Sequence, residues 1–411
     1  MKCRFCKKNK LSNFVDLGFS PPSNANLTLE KLNLPEVQYP LRVSVCSACF
    51  LVQTEDFLKS AELFEDTYTY FSSASQSWLI HARKYAKMIE KRLKLDINSL
   101  VVELASNDGY LLQNFKKAGI PCVGVEPTNS TAAVCQEKGI KVHQEFFSKK
   151  FSKKIIEFHG KANLIIGNNV YAHVPDVNDF TSGISNLLQD QGTVTLEFPH
   201  LLKLLSLKQF DTIYHEHFSY FSLSTVHRIF EKNGLKIYDV EKLQTHGGSL
   251  RVYGCKIDYN IEINASVDIV INEENEFGLN NIMSYQKFSP QIMDMKLEAL
   301  EYLVKQRKGG KRIYGYGAAA KGNTLMNYCG ITSDIIEIIF DAAESKQGKF
   351  TPGSHVPILN PDQILQNPTP DVIIIFPWNI KSEIIEFLSN IEKLKGVEVV
   401  TFIPNLEISK L

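Results

Sequence analysis

Three groups of residues in this chain have the types and spacing to do chemistry. Cys3-x-x-Cys6 and Cys46-x-x-Cys49 repeat one two-residue interval. That interval lets both thiolates of a pair reach a single tetrahedral ion while the turn between them directs N–H groups at the sulfurs. No nearby His or Glu stands out as an open-site ligand, so the expected zinc is a structural staple for a segment too short to hold itself by burial. Tyr214-His215-Glu216-His217 sets a phenol, a carboxylate and imidazoles side by side, the groups that general acid–base chemistry uses. Gly315-Tyr316-Gly317-Ala318-Ala319-Ala320-Lys321-Gly322 is a turn of small residues that ends in a cation. Exposed backbone N–H groups, a helix N-terminus and the Lys321 charge together suit a diphosphate, with Arg251, Lys346 and Lys349 available to complete a clamp.

A fourth group sits at the end of an apolar run, Val101-Val102-Glu103-Leu104-Ala105-Ser106-Asn107-Asp108-Gly109. Small residues let the backbone approach a ligand, and the acidic groups beside them fit a cationic or amine-bearing ligand better than a pyrophosphate. The next apolar run ends Gly124-Val125-Glu126-Pro127, which puts a carboxylate where ribose hydroxyls are usually bound. The turn lacks the dinucleotide fingerprint, and the two strand ends together favour S-adenosylmethionine over NAD.

These groups need rigid elements to carry them. Leu79, Ile80, Met88, Ile89 and Leu93 recur at helical spacing between Gln76 and Leu95. Strands are expected over 100–105, 122–125, 163–167 and 192–197, with helices over 110–118, 131–138 and 179–188 between them. Short apolar strands unrelieved by polar alternation mean a parallel sheet covered on both faces, with ligands at its carboxyl ends. A second alternating unit begins near Lys311, after a helix over 290–305, with strands over 312–315, 335–340, 372–376 and 397–403.

Composition bounds the rest. A chain of 411 residues, 44% apolar and 22% charged, is an ordinary globular balance with room for two or three cores. Lys plus Arg equals Asp plus Glu at 45 each, so no global field would gather nucleic acid or anionic lipid. The start Met1-Lys2-Cys3 carries no apolar run of signal length, and nothing later matches a membrane span. A cytosolic setting is expected, where eight cysteines do not make a disulfide framework. Cys122, Cys135, Cys255 and Cys329 are expected as buried small hydrophobes.

The loop at Glu103–Gly109, the box Tyr214-His215-Glu216-His217-Phe218-Ser219-Tyr220, the stretch His246-Gly247-Gly248-Ser249-Leu250-Arg251 and the segment Gly315–Asn323 together resemble the zinc-containing nucleotide-sugar C-methyltransferases. The resemblance runs from Cys3 to beyond Pro357. One departure is Ala105, which stands where the family loop would have glycine. An α/β fold is implied, with a zinc-binding segment over 1–75, a class I methyltransferase Rossmann-like domain over 76–285 and a C-terminal Rossmann-like domain over 286–411. The cofactors implied are zinc and S-adenosylmethionine, the latter on Glu103, Ala105, Ser106, Asn107, Gly109, Glu126, Phe146, Asn168 and Asn169. The partner implied is a dTDP-linked or GDP-linked keto-sugar bound through Arg251, Gly317, Ala318, Lys321, Asn323, Lys346 and Lys349. Neither nucleic acid nor membrane is expected, and the chain is expected to act as a monomer.

Carbon methylation beside a ketone needs a base for the alpha proton, a donor to the enolate oxygen and a methyl sulfonium in line. His217 is the expected base, because imidazole titrates nearest working pH. Glu216 would hold its tautomer or position a sugar hydroxyl, and Tyr214 would donate to the oxyanion. A metal bound by His215 and His217 would need further ligands, and none is adjacent. The resemblance adds His173, after the fourth strand of the cofactor domain, and Tyr68 and Tyr70 as part of a lid. Two rivals remain. A nucleotide-sugar oxidoreductase or epimerase would use the same groups, whereas in a non-catalytic sugar-nucleotide sensor Tyr214, Glu216 and His217 would be dispensable.

Overall fold

A computed structural model describes residues 1–63 and 71–411. Tyr68 and Tyr70 lie outside the described residues. Strands β1 (Leu11–Ser20), β2 (Tyr39–Cys46) and β3 (Val52–Thr54) open the chain. The helix Gln76–Leu93 follows, started by Ser75, whose side chain accepts from the Trp78 N–H, and stopped by Lys94 in a left-handed conformation. It turns Ala82, Tyr85, Ala86 and Ile89 into the core. Ile80, expected on that face, is exposed.

The strands β4 (Val101–Leu104), β5 (Cys122–Val125), β6 (Lys141–His143), β7 (Ala162–Asn168) and β8 (Leu188–Pro199) form the parallel part of a seven-stranded sheet. Every residue of β4 is buried, as a strand with helices on both faces requires. After the two-residue β9 (Ser219–Tyr220), β10 (Leu235–Leu243) and β11 (Ser249–Lys256) join β8 as antiparallel strands. The sheet order is β10-β11-β8-β7-β4-β5-β6.

The third sheet contains β12 (Ile313–Tyr316), β13 (Ile338–Phe340), β14 (Ile358–Leu359), β15 (Val372–Ile375), β16 (Glu398–Thr401) and β17 (Glu407–Lys410). Its order is β14-β13-β12-β15-β16-β17, parallel except for the edge strand β17. The approach helix runs Phe288–Lys308, a little beyond the expected ends.

The N-terminal segment joins the two larger units. Its sheet has the order β1-β2-β3-β9, so β3 pairs with a strand that follows the Tyr214–Phe218 box. Phe14 stacks on Phe288 at 4.8 Å, and Val15, Val43 and Val45 share a core with Ile292, Leu303 and Ile339. Cys3, Phe5, Cys46 and Leu51 pack instead with Phe221, Leu223 and Val226 of the central unit. Among the described residues no helix is long and apolar enough to cross a membrane.

Candidate active site

The two Cys-x-x-Cys turns are built alike. Lys7 and Phe50 take left-handed φ values of 61° and 59°. Their N–H groups donate to the carbonyls of Cys3 and Cys46, while the N–H groups of Cys3 and Cys46 donate to those of Lys8 and Leu51. The Sγ atoms of all four cysteines lie within 4.8 Å of one another. Cys3–Cys49 and Cys6–Cys46 stand 3.5 and 3.6 Å apart. Tetrahedral zinc with bonds of ~2.3 Å would set such sulfurs about 3.8 Å apart, so the donor set fits the ion. Cys135, Cys255 and Cys329 are buried as expected, and Cys122 is half-buried.

The strand-end turn suits a cationic ligand. Ala105 and Asn107 hold φ of 56° and 49°, a conformation that costs a non-glycine residue about 1–3 kcal/mol and collects at functional sites. Burial, with the charges of Asp108 and Glu126 beside it, pushes the Glu103 carboxyl well above its ordinary range. Burial raises Glu126 as well, against hydrogen bonds from Thr128 and the Asn107 N–H. Three acidic groups gathered at the strand ends favour a ligand that brings positive charge. Ser72 and Ser73 close over this turn, donating their N–H groups to the Asn107 and Asp108 side chains. Asn168, at the end of β7, is buried with neither amide atom hydrogen-bonded, a polar cost that a bound ligand would relieve. Gly109 belongs to the same turn, Ser106 is buried beneath it, and Phe146 is exposed beyond β6.

The box after β8 places adjacent side chains on different sides. His217 Nδ1 faces the Thr212 carbonyl at 2.8 Å, and its Nε2 stands 2.8 Å from the Tyr214 hydroxyl. A carbonyl only accepts, so Nδ1 carries the proton and Nε2 accepts from Tyr214. The tautomer is therefore set by Thr212 and not by Glu216, and the hydroxyl expected to face an oxyanion points at His217. The His173 ring lies edge-on to His217 at 4.7 Å. Glu216 Oε1 accepts from Asn24 Nδ2 at 2.6 Å. His215 turns to the Pro40 carbonyl, and the only group of three or more potential metal ligands among the described residues is the cysteine cluster.

Burial reverses the expected order of titration. It holds His217 well below the ordinary imidazole value, with His173 adding to the effect, and lowers His173 to about 4. The same burial pushes Glu216 up to about 7. Near neutrality His217 is a neutral acceptor, and the group that titrates is the carboxyl.

The C-terminal loop faces this region. Gly317 has φ of 86°, and a Cβ there would meet Pro377 at 2.5 Å. Ala318 is buried behind it. Lys321 Nζ lies 4.5 Å over the Trp378 ring and donates to Asn379. Trp378 in turn donates from its indole to Asp211, which precedes Thr212. Burial lowers Lys321, and Asp211 opposes that.

Other expected clamp residues are committed elsewhere. Arg251 is 4% exposed and is held by Glu197 and Glu241, both at 2.9 Å, with Tyr85 under its guanidinium. A cation locked between two carboxylates is not free for a diphosphate. Lys346 donates to the Ala318 carbonyl and pairs with Asp341. Asn323 donates to the Ser23 carbonyl, and Lys349 is half-buried. Asn24, Asp211, Thr212, His246 and Trp378 were not expected at the site. His246 carried a signal, opening the stretch His246-Gly247-Gly248-Ser249-Leu250-Arg251, and its φ of 52° and its contact with Asn169 at 2.9 Å place it near the β7 end.

This sheet order, with acidic residues at the carboxyl ends of β4 and β5, belongs to the methyltransferase class of α/β folds. A zinc binding domain model matches residues 3–64, a methyltransferase domain model 77–240 and a C-methyltransferase C-terminal domain model 244–404. The C-methyltransferase NovU of Streptomyces niveus is 34% identical over 393 residues, covering 95% of this chain and 93% of its own. The chain belongs to this family of zinc-binding, S-adenosylmethionine-dependent C-methyltransferases. Solved structures that match include the magnesium protoporphyrin IX methyltransferase of Synechocystis with bound S-adenosylmethionine. It is 15% identical, covers 43% of this chain and 80% of its own, and has a TM-score of 0.32. The YcgJ protein of Bacillus subtilis is 14% identical, with coverages of 44% and 99% and a TM-score of 0.35.

Proposed function

We propose that the chain methylates a ring carbon beside the ketone of a nucleotide diphosphate keto-deoxysugar, dTDP-linked or GDP-linked, through an enolate raised by the Tyr214–His217 pair. The observation that carries this reading is the His217 ring, fixed by the Thr212 carbonyl with Nε2 directed at the Tyr214 hydroxyl. S-adenosylmethionine, when bound, supplies an electrophilic methyl group on a sulfonium. Tyr214 Oη takes the proton from the sugar carbon as its own proton passes to His217 Nε2. The C–H electron pair becomes the enolate double bond, and an enolate pair then forms the new carbon–carbon bond. The pair of the breaking S–CH3 bond stays on sulfur, leaving S-adenosylhomocysteine, and His217 returns its extra proton to water.

His173 shapes the pocket edge, and Glu216 orients a sugar hydroxyl from the opposite side. Lys321, with Gly317 and Ala318 before it, holds the diphosphate. The Lys321 ammonium is supported in that role by its position over Trp378 and by the small-residue turn that precedes its helix. A cytosolic setting is supported by eight cysteines, none of them in a disulfide.

The test is incubation with S-adenosylmethionine and a panel of freshly generated nucleotide keto-sugars, read by mass. A gain of one methyl group on a keto-sugar is expected. No gain on any sugar, with thermal stabilisation by NAD rather than S-adenosylmethionine, would overturn the reading in favour of an oxidoreductase or epimerase.

A further inference from the structure

We infer that Arg4, lying between the first two zinc ligands, is a positioning residue for His217 and His173, so that the zinc turn acts on catalysis as well as on folding. The inference rests on the reading of those histidines as active-site groups. Arg4 is 6% exposed, and the guanidinium spends all its donors on fixed partners. Nε donates to the carbonyl of Phe218, the residue after His217, at 3.2 Å. One Nη1 hydrogen goes to the carbonyl of Pro175, two residues beyond His173, at 3.1 Å, and the other to Asp56 at 2.9 Å. Nη2 donates to the Thr54 carbonyl at 3.0 Å and to the second Asp56 oxygen.

The anchor is rigid at its other end. Cys3 and Cys6 flank Arg4 and share one ion with Cys46 and Cys49, which fixes the backbone on both sides of the arginine. The Arg4 N–H donates to Gln53, and the Arg4 carbonyl accepts from Asn178. Thr54 completes the link by donating its hydroxyl to the His217 carbonyl at 3.0 Å and its N–H to that of Phe218. The Phe218 N–H donates to Ala172, tying the two histidine loops to each other. The planar fork thus adds to the Phe218–Ala172 and Thr54 hydrogen bonds in fixing the separation of two loops that β7 and β8 deliver. Lysine cannot replace it, because a compact ammonium with three donors cannot span carbonyls set in a plane. Without the fork the Phe218 carbonyl keeps the Thr54 N–H but loses its guanidinium donor, and the Pro175 carbonyl loses its own. Weakened satisfaction of buried carbonyls costs free energy and lets the loops shift. A displacement of about 1 Å at reacting groups costs on the order of 10²-fold in rate.

Full-length Arg4→Lys and Arg4→Ala should keep about one zinc per chain by metal analysis. Their S-adenosylmethionine affinity by calorimetry should stay within about threefold of wild type, with turnover of a dTDP-linked keto-deoxyhexose lowered about 10- to 100-fold. Added guanidinium ion should restore part of the turnover of Arg4→Ala, which a role in stability alone would not produce. Lys8→Ala, on the exposed side of the same turn, should behave as wild type. Wild-type turnover in zinc-loaded Arg4→Lys would overturn the inference. If either Arg4 variant loses zinc, Thr54→Val reads the same link: a fall of about three- to tenfold at unchanged ligand affinity supports it, and wild-type turnover overturns it. Wild-type turnover in His217→Asn would overturn the acid–base reading, and this inference with it.

Discussion

Asn24 donates its side-chain N–H to Glu216 Oε1 at 2.6 Å, across 192 positions of sequence. The donor lies in the excursion between the two cysteine pairs, so the N-terminal segment reaches a buried carboxyl of the site. Neighbouring Ser23 ties the same excursion to Asn323 and Thr324 of the C-terminal unit.

That carboxyl predicts a pH dependence. Burial raises Glu216 from 4.5 to about 7 in the folded chain, so turnover should fall as pH drops through about 7 and the carboxylate is protonated. Glu216→Gln should remove this acid limb. The stability sign is opposite: between 4.5 and about 7 the folded chain holds a proton that the unfolded chain releases, so this site loses stability as pH rises. A difference in melting temperature between wild type and Glu216→Gln that does not vary over this window would refute the assignment.

His217→Ala or His217→Asn should cut turnover by roughly 10² to 10⁴ with both ligands still bound. Solvent deuterium exchange at the acceptor carbon should fall in parallel, because it needs the same deprotonation. Exchange that persists at the wild-type rate in His217→Ala but disappears in Tyr214→Phe would show that Tyr214 works without His217, and exchange that disappears only in His173→Ala would move the base to His173.

Natively purified protein should contain about one zinc per chain. Cys3→Ser or Cys46→Ser should lose it together with folded N-terminal structure, since binding energy at such a site is folding energy. Metal analysis that finds no zinc in the wild-type protein would remove this claim.

Lys321→Ala should weaken binding of a dTDP-sugar while leaving S-adenosylmethionine affinity near normal, because the ammonium rises from the C-terminal unit and the cofactor turn from the central one. Calorimetry is the check. The reverse pattern would mean that the phosphate-binding role is misassigned.

Short-range order was legible in the amino-acid sequence. Each cysteine pair closes its own turn through hydrogen bonds within five residues, so spacing alone predicts the geometry. Buried parallel strands such as β4 read as uninterrupted apolar runs because both faces are covered. The strand-end acids could be placed for the same reason, since a parallel sheet puts its ligands at one edge. The tertiary structure alone decided where polar side chains spend their hydrogen bonds. Arg251 and Lys321 are both cations near glycines in sequence, yet one is locked by Glu197 and Glu241 while the other stands over Trp378. Glu216 and His217 are neighbours in the chain, but they answer to Asn24 and Thr212. The physical reason is that the pKa of a buried group follows its desolvation and its partners, and both are fixed by segments that meet only when the chain folds.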